Sequence, residues 1–166
     1  FGGAQSYPSR TKDIDDVDIS TGSVGLGVAM TSFISLIQDY ISRKQFGKNI
    51  PQGRMIALVG DAELDEGNVY ECLQEGWKHD LRNVWWIIDY NRQSLDGVVH
   101  EGLSERLGAV FEAFGWNLII LKYGKLQKEA FDEPGGHLLK KWIDDCPNQL
   151  YSALIYEGGS TFKQRI

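Results

Sequence analysis

The sequence predicts an α/β domain with a mostly parallel sheet flanked by helices. Three observations carry this. Short, continuous apolar runs alternate with stretches of helical periodicity. Two of those runs, Met55–Val59 and Val84–Ile88, end in Gly60-Asp61 and Asp89-Tyr90-Asn91. The 166 residues are enough for one domain with a real core, since a chain of this size buries roughly 70% of its unfolded surface.

Taken in order, residues 1–19 show little periodicity and carry the acidic stretch Asp13–Asp18, which predicts an N-terminal arm or loop with a solvated charged face. The domain proper is expected over 20–166. From Val24 to about Lys44, Leu26, Met30, Phe33, Ile34, Ile37 and Ile41 recur at helical spacing, the pattern of an amphipathic helix. Met55–Val59 is apolar without alternation, as in a strand buried on both faces of a parallel sheet. A helix is expected from about Gly67 to His79, and a second strand at Val84–Ile88. A helix is then expected over Leu103–Phe114, a third strand over Trp116–Leu121, a helix over His137–Asp145 and a fourth strand over Tyr151–Tyr156. Strands alternating with helices of this length make βαβ units. There is no internal repeat.

Composition narrows the function. A net charge of −6, with Lys and Arg scattered rather than clustered, argues against a nucleic-acid partner, which needs a cationic footprint. No apolar run approaches the ~20 residues of a membrane span. Cys72 and Cys146 lie far apart, outside any metal-ligand spacing, and read as reduced thiols of an intracellular protein. Phe1-Gly2-Gly3-Ala4 reads as mid-chain sequence, so a longer protein is expected.

In open α/β sheets ligands sit beyond the carboxyl ends of the strands. Asp61 and Asn91 follow two consecutive strands there, so their side chains can converge although thirty positions separate them. A carboxylate and an amide carbonyl are hard oxygen donors of the kind Mg²⁺ takes, its shell usually completed by water and phosphate. A phosphorylated ligand is therefore expected with the metal. The turn Gly22-Ser23-Val24-Gly25-Leu26-Gly27 has the order G-x-x-G-x-G. It lacks the G-x-G-x-x-G order and preceding strand of a dinucleotide site. His79, His100 and His137 read as surface or satisfied histidines, and Trp85 and Trp86 as packing.

The strings VGDAELDEG and DYNRQSLDG, with STGSVGLG before the long helix and FEAFGWNLIILKYG further on, resemble the thiamine-diphosphate-dependent, transketolase-like superfamily. The likeness runs from about Ser20 to Gly124, and is closest to the homodimeric pyruvate dehydrogenase component. The resemblance implies a diphosphate-binding domain of a thiamine-diphosphate enzyme, a 2-oxo-acid (pyruvate) dehydrogenase decarboxylating component, hence an oxidoreductase. Transketolase, moving two-carbon units between sugar phosphates, and a non-catalytic module that keeps the fold are the alternatives.

Carried over residue by residue, Asp61 and Asn91 would bind Mg²⁺ (or Ca²⁺ or Mn²⁺) by their side chains and Gln93 by its backbone carbonyl. Gly60, Asp61, Ala62, Glu63 and Asn91 would hold thiamine diphosphate, with Gly22, Ser23 and Val24 meeting its ring end. Glu66 matches a carboxylate at the dimer interface, a proton-relay candidate. The implied partners are a small 2-oxo acid or ketose phosphate, a pyrimidine-binding domain absent from these residues, a second copy in a homodimer, and an acyltransferase component. A cytoplasmic location is implied, with neither nucleic acid nor membrane as partner. The chain alone is then expected to be catalytically inert. Two positions depart from the family pattern: Ala62 stands where the motif has Gly, and Asn68 where this branch has an acid.

Overall fold

The computed structural model describes residues 7–14, 16–47, 50–92 and 103–165. They form two compact units, Phe1–Asp89 and Tyr90–Ile166.

The first unit is a βαβ motif with a long helix ahead of it. Helix α1 spans Leu26–Arg43, β1 Met55–Gly60, α2 Gly67–Lys78 and β2 Val84–Asp89. The two strands pair in parallel, with Met55 opposite Val84 and Gly60 opposite Asp89. Their carboxyl ends are therefore level, as the sequence pattern requires for a shared ligand edge. A short 3-10 helix, Asp61–Asp65, turns the chain from β1 into α2.

The core of this unit gathers Val28 and Ala29 of α1, Ala57 and Val59 of β1, Val69, Cys72 and Leu73 of α2, and Val84 of β2. Helix α1 packs on both strands and on α2. Trp86 Nε1 donates to Thr31 Oγ1 at 3.1 Å, and Thr31 Oγ1 donates to Val28 O at 2.6 Å, so the half-buried indole is tied to the helix backbone through one hydroxyl. The Gln38 side chain holds Gly53 at both its N–H (2.6 Å) and its C=O (2.9 Å), fixing the entry to β1.

Two expectations about burial are corrected. The face of α1 turned inward is Val28, Ala29, Thr31, Ser32 and Ser35, while Leu26, Met30, Phe33, Ile37 and Tyr40 are exposed. The small residues allow close approach of the helix backbone to the sheet, which large side chains would prevent. The strands are likewise covered on one face only: Ile56, Leu58, Trp85 and Ile87 are all at least half exposed.

The second unit is helical: α3 Leu103–Ala113, α4 Lys125–Asp132, α5 Gly136–Asp145, α6 Asn148–Tyr156 and α7 Gly159–Arg165. Its buried side chains include Leu107, Phe111, Ile143 and Leu154. The expected third and fourth strands are not formed. Residues 116–121 are irregular, with Ile119, Ile120 and Leu121 at 84%, 64% and 85% exposure. A strand needs a partner ladder, and among the described residues the sheet has two strands. Trp116 is instead held back on α3, its N–H on Phe111 O at 3.0 Å and its ring edge-on to Phe111. Tyr151–Tyr156 is helical because its inward positions, Asn148, Tyr151 and Leu154, recur every three residues. No helix among the described residues is long and apolar enough to cross a membrane.

Candidate functional site

The chemistry-bearing residues of the first unit collect at the carboxyl end of β1. Gly60 leaves the strand in extended conformation, with φ −71° and ψ 146°. Asp61 follows, 3% exposed. Ala62 and Glu63 are half-buried within the 3-10 turn, and Glu66 is the half-buried residue that precedes α2. Glu66, the N-cap residue of α2, makes no side-chain capping bond, and the positive end of the helix dipole lies at this edge.

The Gly22–Gly25 turn is brought to the same place from the other side. Gly22, Ser23 and Val24 are exposed and Gly25 is buried. The Gly25 N–H donates to Glu63 Oε2 at 3.2 Å across 38 positions of sequence. Gly25 adopts the left-handed conformation, φ +78°, which glycine takes without steric cost. A Cβ there would stand 2.5 Å from Asn68 Oδ1 and 2.9 Å from Glu66 Cβ. The turn and the Glu63–Asn68 segment therefore interlock at a point where only a hydrogen atom fits. Sequence reasoning singled out Gly22, Ser23 and Val24 but missed Gly25 and Asn68 as the contact itself. A glycine immediately ahead of a helix was the available signal. Asn68 Oδ1 is buried there without a hydrogen-bond partner.

Ala62 is free of strain. The positive-φ residues other than glycine are Gln45, Asp80, Arg92 and Tyr123 among those described, so the alanine methyl carries no backbone penalty.

The electrostatics favour a cation. Asp61, Glu63, Asp65 and Glu66 place four carboxylates within six residues. A polyanionic ligand approaching that edge is repelled unless a divalent ion lies between. Among the described residues no three His, Cys, Asp or Glu side chains gather closely enough to hold a metal unaided. A metal at Asp61 would therefore need amide or carbonyl oxygens and the ligand as further donors. Gly60 offers room for that ligand, with no atom within 4 Å of where its Cβ would stand.

Asn91 belongs to the second unit, two residues beyond the end of β2, and is exposed. With Tyr90, Arg92, Asn148, Tyr151 and Tyr156 it lines a hollow of about 370 Å³. Arg92, given no role by the sequence reading, is buried and left-handed with φ +63°. Its guanidinium donates to Ile143 O at 2.8 Å and Cys146 O at 3.1 Å, and lies 4.9 Å from the Tyr151 ring centroid. It thus satisfies carbonyls at the end of α5. Gln93 and His100 lie outside the described residues.

The other flagged side chains are structural. His79 lies at the surface, 3.4 Å from Glu75, and His137 is exposed. Trp85 stacks beneath the Arg54 guanidinium at 4.0 Å. Both cysteines are free and buried. Burial, then the charges of Glu71 and Glu75, push the Cys72 thiol up to about 11, which disfavours its thiolate.

Comparison with known proteins agrees with this geometry. Residues 5–132 match the family described as transketolase, thiamine diphosphate binding domain. A transketolase of Staphylococcus aureus is 33% identical over 112 residues, 66% of this chain and 17% of the relative. A Staphylococcus epidermidis transketolase is 32% identical over 113 residues. A pyruvate dehydrogenase E1 component of Cupriavidus necator is 25% identical over 164 residues, 98% of this chain and 18% of the relative. The chain thus spans less than a fifth of the length of these relatives. With the family match covering most of its residues, and the matched Gly-Asp edge and glycine turn joined in the structure, the chain belongs to the transketolase family as a thiamine-diphosphate-binding domain.

Proposed function

We propose that this chain supplies the metal- and diphosphate-holding part of a 2-oxo-acid dehydrogenase decarboxylating component, acting on pyruvate or a close analogue. The observation that carries the reading is the junction of the Gly22–Gly25 turn with the Asp61–Glu66 segment through the Gly25–Glu63 hydrogen bond. It supports a single ligand spanning both elements, its diphosphate toward Gly60–Glu63 and its ring end toward Gly22–Val24. The likeness to a pyruvate dehydrogenase E1 component along 98% of the chain favours the oxo-acid branch. The higher identity to transketolases, 33% over a shorter stretch, supports ketol transfer between sugar phosphates as the second reading.

In this reading Asp61 and Asn91, by their side chains, and Gln93, by its backbone carbonyl, would hold Mg²⁺, a hard cation that takes such oxygen donors. The bound cofactor supplies a thiazolium ylid for carbanion chemistry. The chain's own residues bind and orient. Asp61 would offset part of the metal's charge, and the positive end of the α2 dipole would favour the anion. Gly60 leaves space for the ligand. Glu66, the residue that precedes α2, would serve as a relay carboxylate at an interface with a second subunit. Anchoring of this sort is shared by ground and transition states and does not by itself accelerate the chemical step, so the acid–base group comes from a pyrimidine-binding domain.

The test is calorimetric. Thiamine diphosphate should bind the protein only with Mg²⁺, and Asp61→Ala should abolish that binding. Gln93→Ala should change it little, because a backbone carbonyl survives the substitution. Near-normal affinity in Asp61→Ala would overturn the assignment, and absence of binding in the unaltered protein would favour a non-catalytic module. Decarboxylation of pyruvate against ketol transfer from a ketose phosphate separates the two branches.

A further inference from the structure

We propose that Glu63 is a positioning residue for the cofactor site: its carboxylate acts through the Gly25 backbone, locking the Gly22–Gly25 turn into its ligand-meeting shape. The proposal deepens the thiamine-diphosphate reading and rests on it for what the turn meets, while the lock itself stands on geometry alone.

Helix α1 begins at Leu26 with Gly25 as its N-cap, a residue with no side chain to cap it. A helix start of this kind is commonly fixed by a capping box, in which the side chain three residues into the helix reaches back to the N-cap N–H. Here that residue is Val28, which has no acceptor. Glu63 provides the missing half from another element, its Oε2 accepting the Gly25 N–H at 3.2 Å. The same contact sets a negative charge at the positive end of an 18-residue helix, where it is favoured. It also turns the carboxylate toward a donor, where otherwise it would face and repel a diphosphate. The turn cannot relax sideways, because Gly25 is wedged in its left-handed conformation against Asn68 Oδ1 and Glu66. One carboxylate thereby couples the ring-end turn to the diphosphate edge, and Glu63 meets the ligand through its backbone and this turn.

The experiment compares Glu63→Ala with Glu63→Gln, which keeps an acceptor oxygen. Exchange of the Gly25 amide hydrogen is followed by NMR without cofactor, and Mg²⁺–thiamine diphosphate binding by calorimetry. In Glu63→Ala the Gly25 amide should exchange about tenfold faster or more, the factor a hydrogen bond to a charged group carries, and the cofactor should bind about tenfold more weakly. Glu63→Gln should recover most of both losses. Unchanged Gly25 exchange in Glu63→Ala would overturn the lock. If Glu63→Gln protects Gly25 yet binds cofactor no better than Glu63→Ala, the carboxylate acts on the ligand directly and the proposal fails. If no form binds thiamine diphosphate, the cofactor reading falls, and the exchange data still decide the lock.

Discussion

Replacing Gly25 by alanine tests the interlock at its narrowest point. The new methyl would stand 2.5 Å from Asn68 Oδ1, 2.9 Å from Glu66 Cβ and 3.2 Å from Glu66 Cγ, where ordinary contact begins near 3.4 Å. Two costs add. Holding an alanine at φ +78° costs about 1–2 kcal/mol, and overpacking a filled position costs about 1–3 kcal/mol. The loss is expected at about 2–5 kcal/mol, because Asn68 and Glu66 sit at the start of α2 and can give only slightly. Gly60→Ala is the internal control. Gly60 has φ −71° and nothing within 4 Å of its Cβ position, so the same methyl should stabilise the unliganded protein by about 0.4–1 kcal/mol. Urea unfolding followed by circular dichroism and tryptophan fluorescence measures both. Adding Asn68→Ala to Gly25→Ala should restore the part due to the Oδ1 contact and leave the left-handed penalty. A loss below 1 kcal/mol for Gly25→Ala, or equal effects at positions 25 and 60, would refute the interlock.

Two further predictions concern other sites. Ala62→Gly should lower stability by about 0.4–1 kcal/mol and leave cofactor affinity nearly unchanged, because the alanine sits without strain in the 3-10 turn; a large calorimetric gain in affinity would mean that the methyl obstructs the diphosphate. In the second unit, burial alone would raise Asp144, but hydrogen bonds from Lys140 (2.6 Å) and Tyr123, with the charges of Lys122 and Lys140, hold its carboxyl below the usual range. A depressed carboxyl stabilises the fold above its unfolded value and ceases to do so as pH falls through its folded one. Asp144→Asn should therefore cost about 1–3 kcal/mol near neutrality, and urea midpoints of the two proteins should converge in acid.

The sequence pattern located what depends on local chemistry. Strands at Met55 and Val84, the helix between them and the Gly60-Asp61 edge were legible because each strand is a short unbroken apolar run that ends in a polar turn. The face that α1 buries was not, since periodicity points to the largest apolar residues, whereas close packing on a sheet selects Ala29, Ser32 and Ser35. The Gly25–Glu63 bond was also out of reach: its partners lie 38 residues apart, and only the folded chain puts a carboxylate where Val28 lacks one. Residues 116–121 show the opposite limit. Their β-prone run states a preference, but a ladder depends on a neighbouring edge that no local signal guarantees.

The small-residue face of α1 has a thermodynamic consequence. Leu26, Met30, Phe33, Ile37 and Tyr40 on the helix, and Ile56, Leu58, Trp85 and Ile87 on the strands, already meet water in the folded first unit. Unfolding it uncovers correspondingly less new apolar surface. Its heat-capacity increment should then fall below the ~12–15 cal/mol/K per residue of ordinary domains. A smaller increment flattens the curve of stability against temperature, so the unit's stability changes little over a wide thermal range and rests more on shape and hydrogen bonding than on water release.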